Sequence, residues 1–266
     1  MPDNLEDIAG QPIFWRSAPG SGLPVLYLHG VPNSSDQWRS FLARTGGLAP
    51  DLPGFGRSSK RGDLDYSIEG YVDFLERFLA HAGIDRFRLV AHDWGALGLA
   101  LAQRMPSRVD RIVAMNVVPL LPDYRWHRIG RTWRTPVVGE LVMGFGVKWV
   151  MRQLSRKFTV APGPAPPEFV DEIYEFFDQG TQRAILKLYR SASPEALAHA
   201  GRGLAEVNAP ALVLWGDRDP YISARFADEL ASVMGNAEAR HLDDAGHWPW
   251  LDRPSVIDDV VRFLGA

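Results

Sequence analysis

The chain of 266 residues contains no cysteine. This absence excludes disulfide bonds, thiolate metal sites and cysteine nucleophiles. The chain also has no large excess of one charge, because it contains 29 Lys and Arg and 32 Asp and Glu. A net charge of −3 does not suggest nucleic acid or an anionic membrane as a partner. No apolar run approaches the roughly 20 residues of a membrane span, and the acidic residues 1–7 lack the apolar segment of a secretory signal. Together these absences predict a cytoplasmic enzyme without metal or organic cofactor.

Hydrophobic patterning divides the chain into two kinds of segment. Short apolar strand patterns alternate with amphipathic helix patterns over residues 1–117 and again over 207–266. Continuous apolar strands are typical of a mostly parallel sheet covered by helices on both faces. Residues 118–206 show no strand pattern and contain the proline-rich stretch 161–167. We therefore predict an α/β core domain of residues 1–117 and 207–266, interrupted by a helical cap of residues 118–206. Helices are predicted in the cap over residues 137–154, 168–177 and 181–191.

An unusual carboxylate follows the apolar run 87–91. Ala91 stands two positions before Asp93, and Gly95 stands two positions after it. A sharp strand-to-helix turn needs small residues at these positions, and such a turn pushes the residue at its tip into open space. Asp93 could instead cap the helix that follows. The turn nevertheless makes Asp93 the candidate nucleophile.

Two further acid–base residues follow predicted strands. Asp219 comes after the strand that ends near Gly216, and His247 comes after the last strand. Ligand sites of open α/β sheets lie outside the carboxyl ends of the strands. Taken singly, Asp219 could be a turn residue and His247 a structural histidine. The order and strand-end placement of Asp93, Asp219 and His247 together favour a catalytic triad.

Backbone N–H groups suited to an oxyanion are expected beside Asp93. The segment His-Gly-Val-Pro at residues 29–32 follows an early strand, where the N–H of Val31 can face the nucleophile. The N–H of Trp94, directly after the nucleophile, is the second expected donor.

The identity of the nucleophile narrows the reaction. A serine alkylated at an sp3 carbon becomes an ether, which activated water does not hydrolyse, whereas an alkylated Asp93 becomes an ester that water attacks. A carboxylate that attacked an ester substrate would form an anhydride, which disfavours a carboxylesterase. Asp93 therefore indicates displacement at the carbon of an epoxide or alkyl halide. His247 would activate water as the base, and Asp219 would orient it.

The motifs together resemble those of the α/β-hydrolase superfamily, in particular its epoxide hydrolase and haloalkane dehalogenase branch. The resemblance covers nearly the whole chain and implies the α/β-hydrolase fold, in which the triad follows the order nucleophile, acid, base. The segments that carry it are His-Gly-Val-Pro at 29–32, Asp-Leu-Pro-Gly-Phe-Gly at 51–56, His-Asp-Trp-Gly at 92–95, Gly-Asp-Arg-Asp at 216–219 and Gly-His at 246–247.

The dehalogenase side of the resemblance implies that the indole N–H of Trp94 holds the departing halide. Many dehalogenases have a second halide ligand, an asparagine, where this chain has Val31. One subgroup uses a cap tryptophan instead, for which Trp126, Trp133 and Trp149 are available.

The epoxide hydrolase side implies a cap tyrosine that protonates the ring oxygen. Tyr189 and Arg190 are similar to the Tyr-Arg signature of that family. A second tyrosine is often found before a cap Pro-Gly segment, but residues 131–136 of this chain contain none, and Tyr124 is the nearest candidate.

We predict an epoxide hydrolase that converts an apolar epoxide to a vicinal diol. Its expected partners are a small apolar electrophile and water, and the expected state is a monomer or homodimer. A haloalkane dehalogenase is the alternative within the same chemistry, and a non-catalytic ligand-binding protein of this fold is the alternative from another class. The expected substrate-binding side chains are those of Trp94, Tyr124, Trp126 and Trp133.

Overall fold

A single eight-stranded sheet runs through the computed structural model, which describes residues 3–145 and 166–265. In space the strands follow the order β1-β2-β4-β3-β5-β6-β7-β8. The pairs β1–β2 and β2–β4 are antiparallel, and the other neighbouring pairs are parallel. The strands are β1 (Asp3–Asp7), β2 (Pro12–Ala18), β3 (Val25–Leu28), β4 (Gly47–Pro50), β5 (Phe87–His92), β6 (Val109–Met115), β7 (Ala211–Gly216) and β8 (Ala237–Leu242).

Helices flank the sheet, and this architecture confirms the predicted fold class. No helix within residues 3–145 or 166–265 is long and apolar enough to cross a membrane. The helices are α1 (Arg39–Thr45), α2 (Ile68–His81), α3 (Leu97–Arg104), α4 (Arg128–Arg134), α5 (Val138–Phe145), α6 (Pro167–Glu175), α7 (Gln179–Ser191), α8 (Pro194–Ala200), α9 (Arg225–Met234), α10 (Pro249–Asp252) and α11 (Ser255–Leu264).

The segment between β6 and β7 contains helices and, within the residues that the structure describes, no strand. Helices α4 to α8 lie there, and α6 and α7 match the predicted helices 168–177 and 181–191 to within two residues at each end. The predicted helix 137–154 corresponds at its start to α5, and its remainder lies outside the described residues, as does most of the proline-rich stretch 161–167. The division into core and cap domains stays a prediction.

Burial explains why the central strands read as continuous apolar runs. Strands β3 and β7 are buried along their whole length because helices cover both faces of the sheet. Helix α2 is amphipathic, and the Ser67 hydroxyl caps it by accepting a hydrogen bond from the N–H of Gly70 at 3.1 Å. The carboxyl ends of the buried strands form the edge at which the candidate site lies.

A loop between β4 and α2 holds the start of α7. The ammonium group of Lys60 donates to the carbonyl of Phe176 at 2.9 Å and to the carboxylate of Asp178 at 2.8 Å. Asp178 is also the N-cap of α7, since its carboxylate accepts from the N–H of Thr181 at 2.9 Å. Arg183 returns a hydrogen bond to the carbonyl of Lys60 at 2.6 Å. These contacts orient the helix that carries Tyr189.

Candidate active site

Asp93 lies at the tip of a tight turn between β5 and α3. Its φ angle is +50°, a conformation that non-glycine residues rarely adopt and that aims the side chain away from the sheet. A Cβ atom on Gly95 would lie 2.3 Å from the Leu28 carbonyl oxygen, and one on Gly30 would lie 2.6 Å from the Asp93 carboxylate. Glycine is therefore needed at both positions, because neighbouring atoms lie too close to leave room for a side chain.

Burial and two backbone donors determine the protonation of Asp93. The N–H of Val31 donates to Asp93 Oδ2 at 2.8 Å. Burial raises the pKa of Asp93, and the nearby charge of His247 and hydrogen bonds from the N–H groups of Val31 and Trp94 oppose it, so that the pKa is about 6. The two N–H groups expected to hold an oxyanion thus already face this carboxylate.

His247 links Asp93 to a buried second carboxylate. Its Nδ1 donates to Asp219 Oδ2 at 2.7 Å, and its Nε2 lies 3.9 Å from Asp93 Oδ1. Burial lowers the pKa of the His247 imidazole, but the charge and hydrogen bond of Asp219 and the charge of Asp93 outweigh it, so the pKa is raised. The other carboxylate oxygen of Asp219 accepts from the N–H groups of Tyr221 and Ile222 at 2.7 and 3.1 Å. The structure therefore brings the three predicted residues together.

Asn116 completes this arrangement and was not predicted. It directly follows β6 with a φ of +42°, and its Nδ2 donates to Asp219 Oδ2 at 2.7 Å. Its Oδ1 accepts from the N–H of Gly216 at 2.9 Å, which ties the ends of β6 and β7 together. A polar residue directly after a buried strand was the available signal, because the carboxyl ends of parallel strands share one edge.

A mostly apolar cavity of about 110 Å³ lies between Asp93 and the helices that follow β6. Five residues of the predicted site line this cavity, namely Val31, Asp93, Trp133, Tyr189 and His247. Its other lining residues, not singled out from the sequence, are Pro32, His127, Ile129, Phe169, Val170, Ile173, Tyr174, Phe177, Tyr221 and Trp248.

Tyr189 is the predicted proton donor, and its side chain lines this cavity. Burial raises the pKa of the phenol well above its usual range, and the charge of Asp93 raises it further. The phenol is therefore a neutral O–H donor at ordinary pH. The indole of Trp133 packs edge to face against the Tyr189 ring, with the ring centroids 4.9 Å apart.

Three predicted substrate contacts do not line the cavity and form an aromatic layer behind it. The Trp126 ring stacks on Trp94 at 5.4 Å and lies 5.1 Å from the ring of Tyr124. The indole N–H of Trp126 donates to the Ala192 carbonyl at 2.8 Å, so it is not free to bind a ligand. Within the described residues, the buried Nε1–H of Trp94 and the hydroxyl of Tyr124 have no hydrogen bond of good geometry. The Trp94 N–H nevertheless lies close enough to the Tyr189 hydroxyl to lower the pKa of Tyr189. This effect is smaller than that of burial, which raises the same pKa.

The chain is similar to known proteins in sequence and in fold. Residues 25–260 match the model of the Alpha/beta hydrolase family. The chain is 30% identical over 271 residues to a haloalkane dehalogenase of Mesorhizobium japonicum, with 92% of this chain and 84% of that protein covered. It is 25% identical over 261 residues to epoxide hydrolase 3 of Mus musculus, with 91% and 70% covered. The crystal structure of haloalkane dehalogenase DbeA from Bradyrhizobium elkani superposes with a TM-score of 0.84 at 27% identity, covering 99% of this chain and 98% of that one.

Proposed function

This chain belongs to the alpha/beta hydrolase family and is a hydrolase, and on that premise we propose that it converts an apolar epoxide to a vicinal diol through an ester on Asp93. Residues 118–206 would act as the cap over the core formed by residues 1–117 and 207–266. The observation that carries the proposal is the cavity itself, which Asp93, His247 and Tyr189 all line.

The first step forms a bond between an Asp93 oxygen and a ring carbon of the epoxide. The ring C–O bond breaks, and the oxygen takes its electron pair and then the phenol proton of Tyr189. Because the pKa of Asp93 is about 6, the carboxylate is ionised at neutral pH, while the raised pKa of Tyr189 keeps its proton available. The product of this step is a hydroxyalkyl ester of Asp93.

In the second step water attacks the carbonyl carbon of the ester. His247 takes the proton of that water, and Asp219 stabilises the imidazolium that results. The negative oxygen of the tetrahedral intermediate would lie against the N–H groups of Val31 and Trp94. The separation of 3.9 Å between His247 Nε2 and Asp93 Oδ1 is longer than a direct hydrogen bond, which is consistent with a base that acts on water beside the ester. When the intermediate collapses, the C–O bond to the alkyl group breaks and the departing oxygen takes the proton from the His247 imidazolium. The proton left on the Asp93 carboxyl passes to the Tyr189 phenolate, so the diol leaves and all three residues return to their starting protonation states.

A haloalkane dehalogenase is the second candidate, and the buried Trp94 Nε1–H favours it as a halide donor. A halide ion would need a second donor, however. The side chain at Val31 is aliphatic, and the indole of Trp126 is occupied by the Ala192 carbonyl. Of the other tryptophans considered from the sequence, Trp133 lines the cavity and Trp149 lies outside the described residues.

Trapping the ester distinguishes the candidates. The variant His247→Gln should form the ester without hydrolysing it, and intact mass spectrometry would show what is added. Styrene oxide should add its whole mass, whereas 1-bromobutane would add only a butyl group with release of bromide. The double variant Asp93→Ala with His247→Gln is the matched control and should show no addition.

Each result of this experiment assigns one function. Addition of styrene oxide, with diol formation by the unchanged protein, supports the epoxide hydrolase. Bromide release without epoxide turnover supports the dehalogenase instead. If neither compound adds to the protein, a non-catalytic ligand-binding protein is favoured.

A further inference from the structure

His92 is a buried histidine that the proposed reaction does not use. It is the last residue of β5, directly before Asp93, and only 1% of its surface is exposed. Its Nε2 lies 2.8 Å from the backbone carbonyl oxygen of His247. A carbonyl oxygen only accepts hydrogen bonds, so Nε2 carries the proton and donates it. Within the described residues, the Nδ1 atom has no partner.

Aromatic contacts hold the ring of His92 against the base. Its centroid lies 4.7 Å from that of His247, and the rings of Trp248 and Trp250 lie at 6.0 and 4.9 Å. Burial, together with the charge of His247, holds the pKa of His92 well below its usual range. The ring therefore stays neutral when His247 takes up a proton.

The hydrogen bond connects two catalytic segments that are distant in sequence. His92 ends the strand that leads into Asp93, and its acceptor belongs to the loop that carries His247, 155 residues later. Asp219 anchors the imidazole of His247 from one side, and His92 anchors its backbone from the other. His92 does not line the cavity and so has no contact with the reacting atoms.

We propose that His92 is a positioning residue for hydrolysis of the Asp93 ester, an inference that rests on the proposed function. Its hydrogen bond to the His247 carbonyl and its ring contact hold the base at the distance from Asp93 at which it activates water. Ester formation uses Asp93 and Tyr189 and needs no base. Loss of His92 should therefore slow the second step and spare the first.

Two substitutions separate the hydrogen bond from the ring. His92→Phe keeps an aromatic ring and removes the donor, whereas His92→Gln keeps an N–H donor at the same distance along the side chain. We expect His92→Phe to slow ester hydrolysis by at least about tenfold, because small displacements of a catalytic group have effects of this size. Ester formation should change by less than about threefold, so the ester should accumulate in intact mass spectra. His92→Gln should restore most of the hydrolysis rate.

If His92→Phe does not fold, His92→Asn takes its place, because its amide is one methylene shorter than that of Gln and falls short of the carbonyl. Equal rates in all variants, or equal losses in both steps, would overturn the proposal. So would loss of hydrolysis in His92→Gln to the same extent as in His92→Phe.

A measurement without substrate keeps this test apart from the proposed function. The downfield proton resonance of His247 Nδ1–H, assigned by its loss in His247→Gln, reports the hydrogen bond to Asp219. It should shift or broaden in His92→Phe and return in His92→Gln. If the unchanged protein forms no ester, the proposed function fails and this resonance alone decides the role of His92. An unchanged resonance in His92→Phe would then overturn that role.

Discussion

Asn116 and His247 donate hydrogen bonds to the same oxygen of Asp219, each at 2.7 Å. The other oxygen accepts from the backbone N–H groups of Tyr221 and Ile222. Four donors therefore surround a carboxylate whose side chain is fully buried. Such a set holds the carboxylate in one orientation and stabilises its charge, which the protonated His247 needs beside it.

Replacing Asn116 should impair the base more than the nucleophile. Asn116→Gly removes the side-chain hydrogen bonds and tolerates the φ of +42°. We expect ester hydrolysis to slow by about tenfold and the free energy of unfolding to fall by about 1–3 kcal/mol. Asn116→Ala should lower the free energy of unfolding by about 1–2 kcal/mol more than Asn116→Gly, because alanine is strained in the left-handed conformation. Rapid-quench kinetics and urea unfolding measure the two effects, and unchanged hydrolysis in Asn116→Gly would contradict the role given to Asn116.

Asp93 should destabilise the folded protein at neutral and higher pH. Its pKa is raised to about 6 from a usual value of 3.8, so between these values the folded protein binds a proton that the unfolded chain does not. Stability contributed by this group therefore increases as the pH falls through 6. Asp93→Asn should raise the free energy of unfolding by about 1–3 kcal/mol at pH 8 and by almost nothing at pH 4.

Urea unfolding at pH 4 and pH 8 measures this difference. The exposed Asp85 serves as the matched control, because Asp85→Asn makes the same change from carboxylate to amide at the surface, where a charge contributes little to stability. A variant Asp93→Asn that is less stable than the unchanged protein at pH 8 would show that the buried charge is favourable.

Two buried tyrosines that both contact the ring of Trp126 should differ in their effects. Tyr189 lines the cavity, whereas Tyr124 lies behind it. Tyr189→Phe should slow ester formation from styrene oxide by about 10²-fold, a usual contribution of a general acid. Its effect on 1-bromobutane should be small, because a departing halide needs no proton. Tyr124→Phe should leave both reactions nearly unchanged, and equal effects of the two substitutions on styrene oxide, measured by stopped flow, would count against Tyr189 as the donor.

Adding a methyl group at Gly30 should disable the site sterically. Its Cβ would lie 2.5 Å from the Cβ of Asp93 and 2.6 Å from Oδ2, so Val31 and its N–H must move. We expect Gly30→Ala to lower kcat by about 10²–10³-fold, the effect of losing an oxyanion donor. Gly144→Ala is the control, since a Cβ at that position has no neighbour within 4 Å among the residues that the structure describes. Steady-state assays and circular dichroism of both variants separate the catalytic loss from unfolding.

Features that depend on residues close together in the sequence, or on where strands end, could be predicted from the sequence. Small residues around Asp93 predicted the tight turn, because steric exclusion there acts over two positions on each side. Asp219 and His247 could be placed because strand ends in a parallel sheet share one edge. Asn116 meets the same criterion, but an amide at a strand end resembles an ordinary turn residue, so the sequence does not predict its contact with Asp219.

The helices after β6 show where sequence patterns stop being informative. Their periodicity predicted α6 and α7 but left open which core residues each helix would contact. Trp126 and Trp133 are seven residues apart and equally aromatic, yet Trp133 lines the cavity and Trp126 donates to the Ala192 carbonyl. The direction of each ring depends on packing between segments far apart in the chain.

By itself, the sequence determined the fold class, the turn at Asp93 and the order of the three acid–base residues, because these depend on local sterics and strand ends. Only the tertiary structure decided that Asn116 and His92 hold Asp219 and His247, and that Tyr189, Tyr221 and His127 share one cavity with Asp93. Those contacts join elements up to 155 residues apart, and side-chain packing, which no local pattern encodes, selects them.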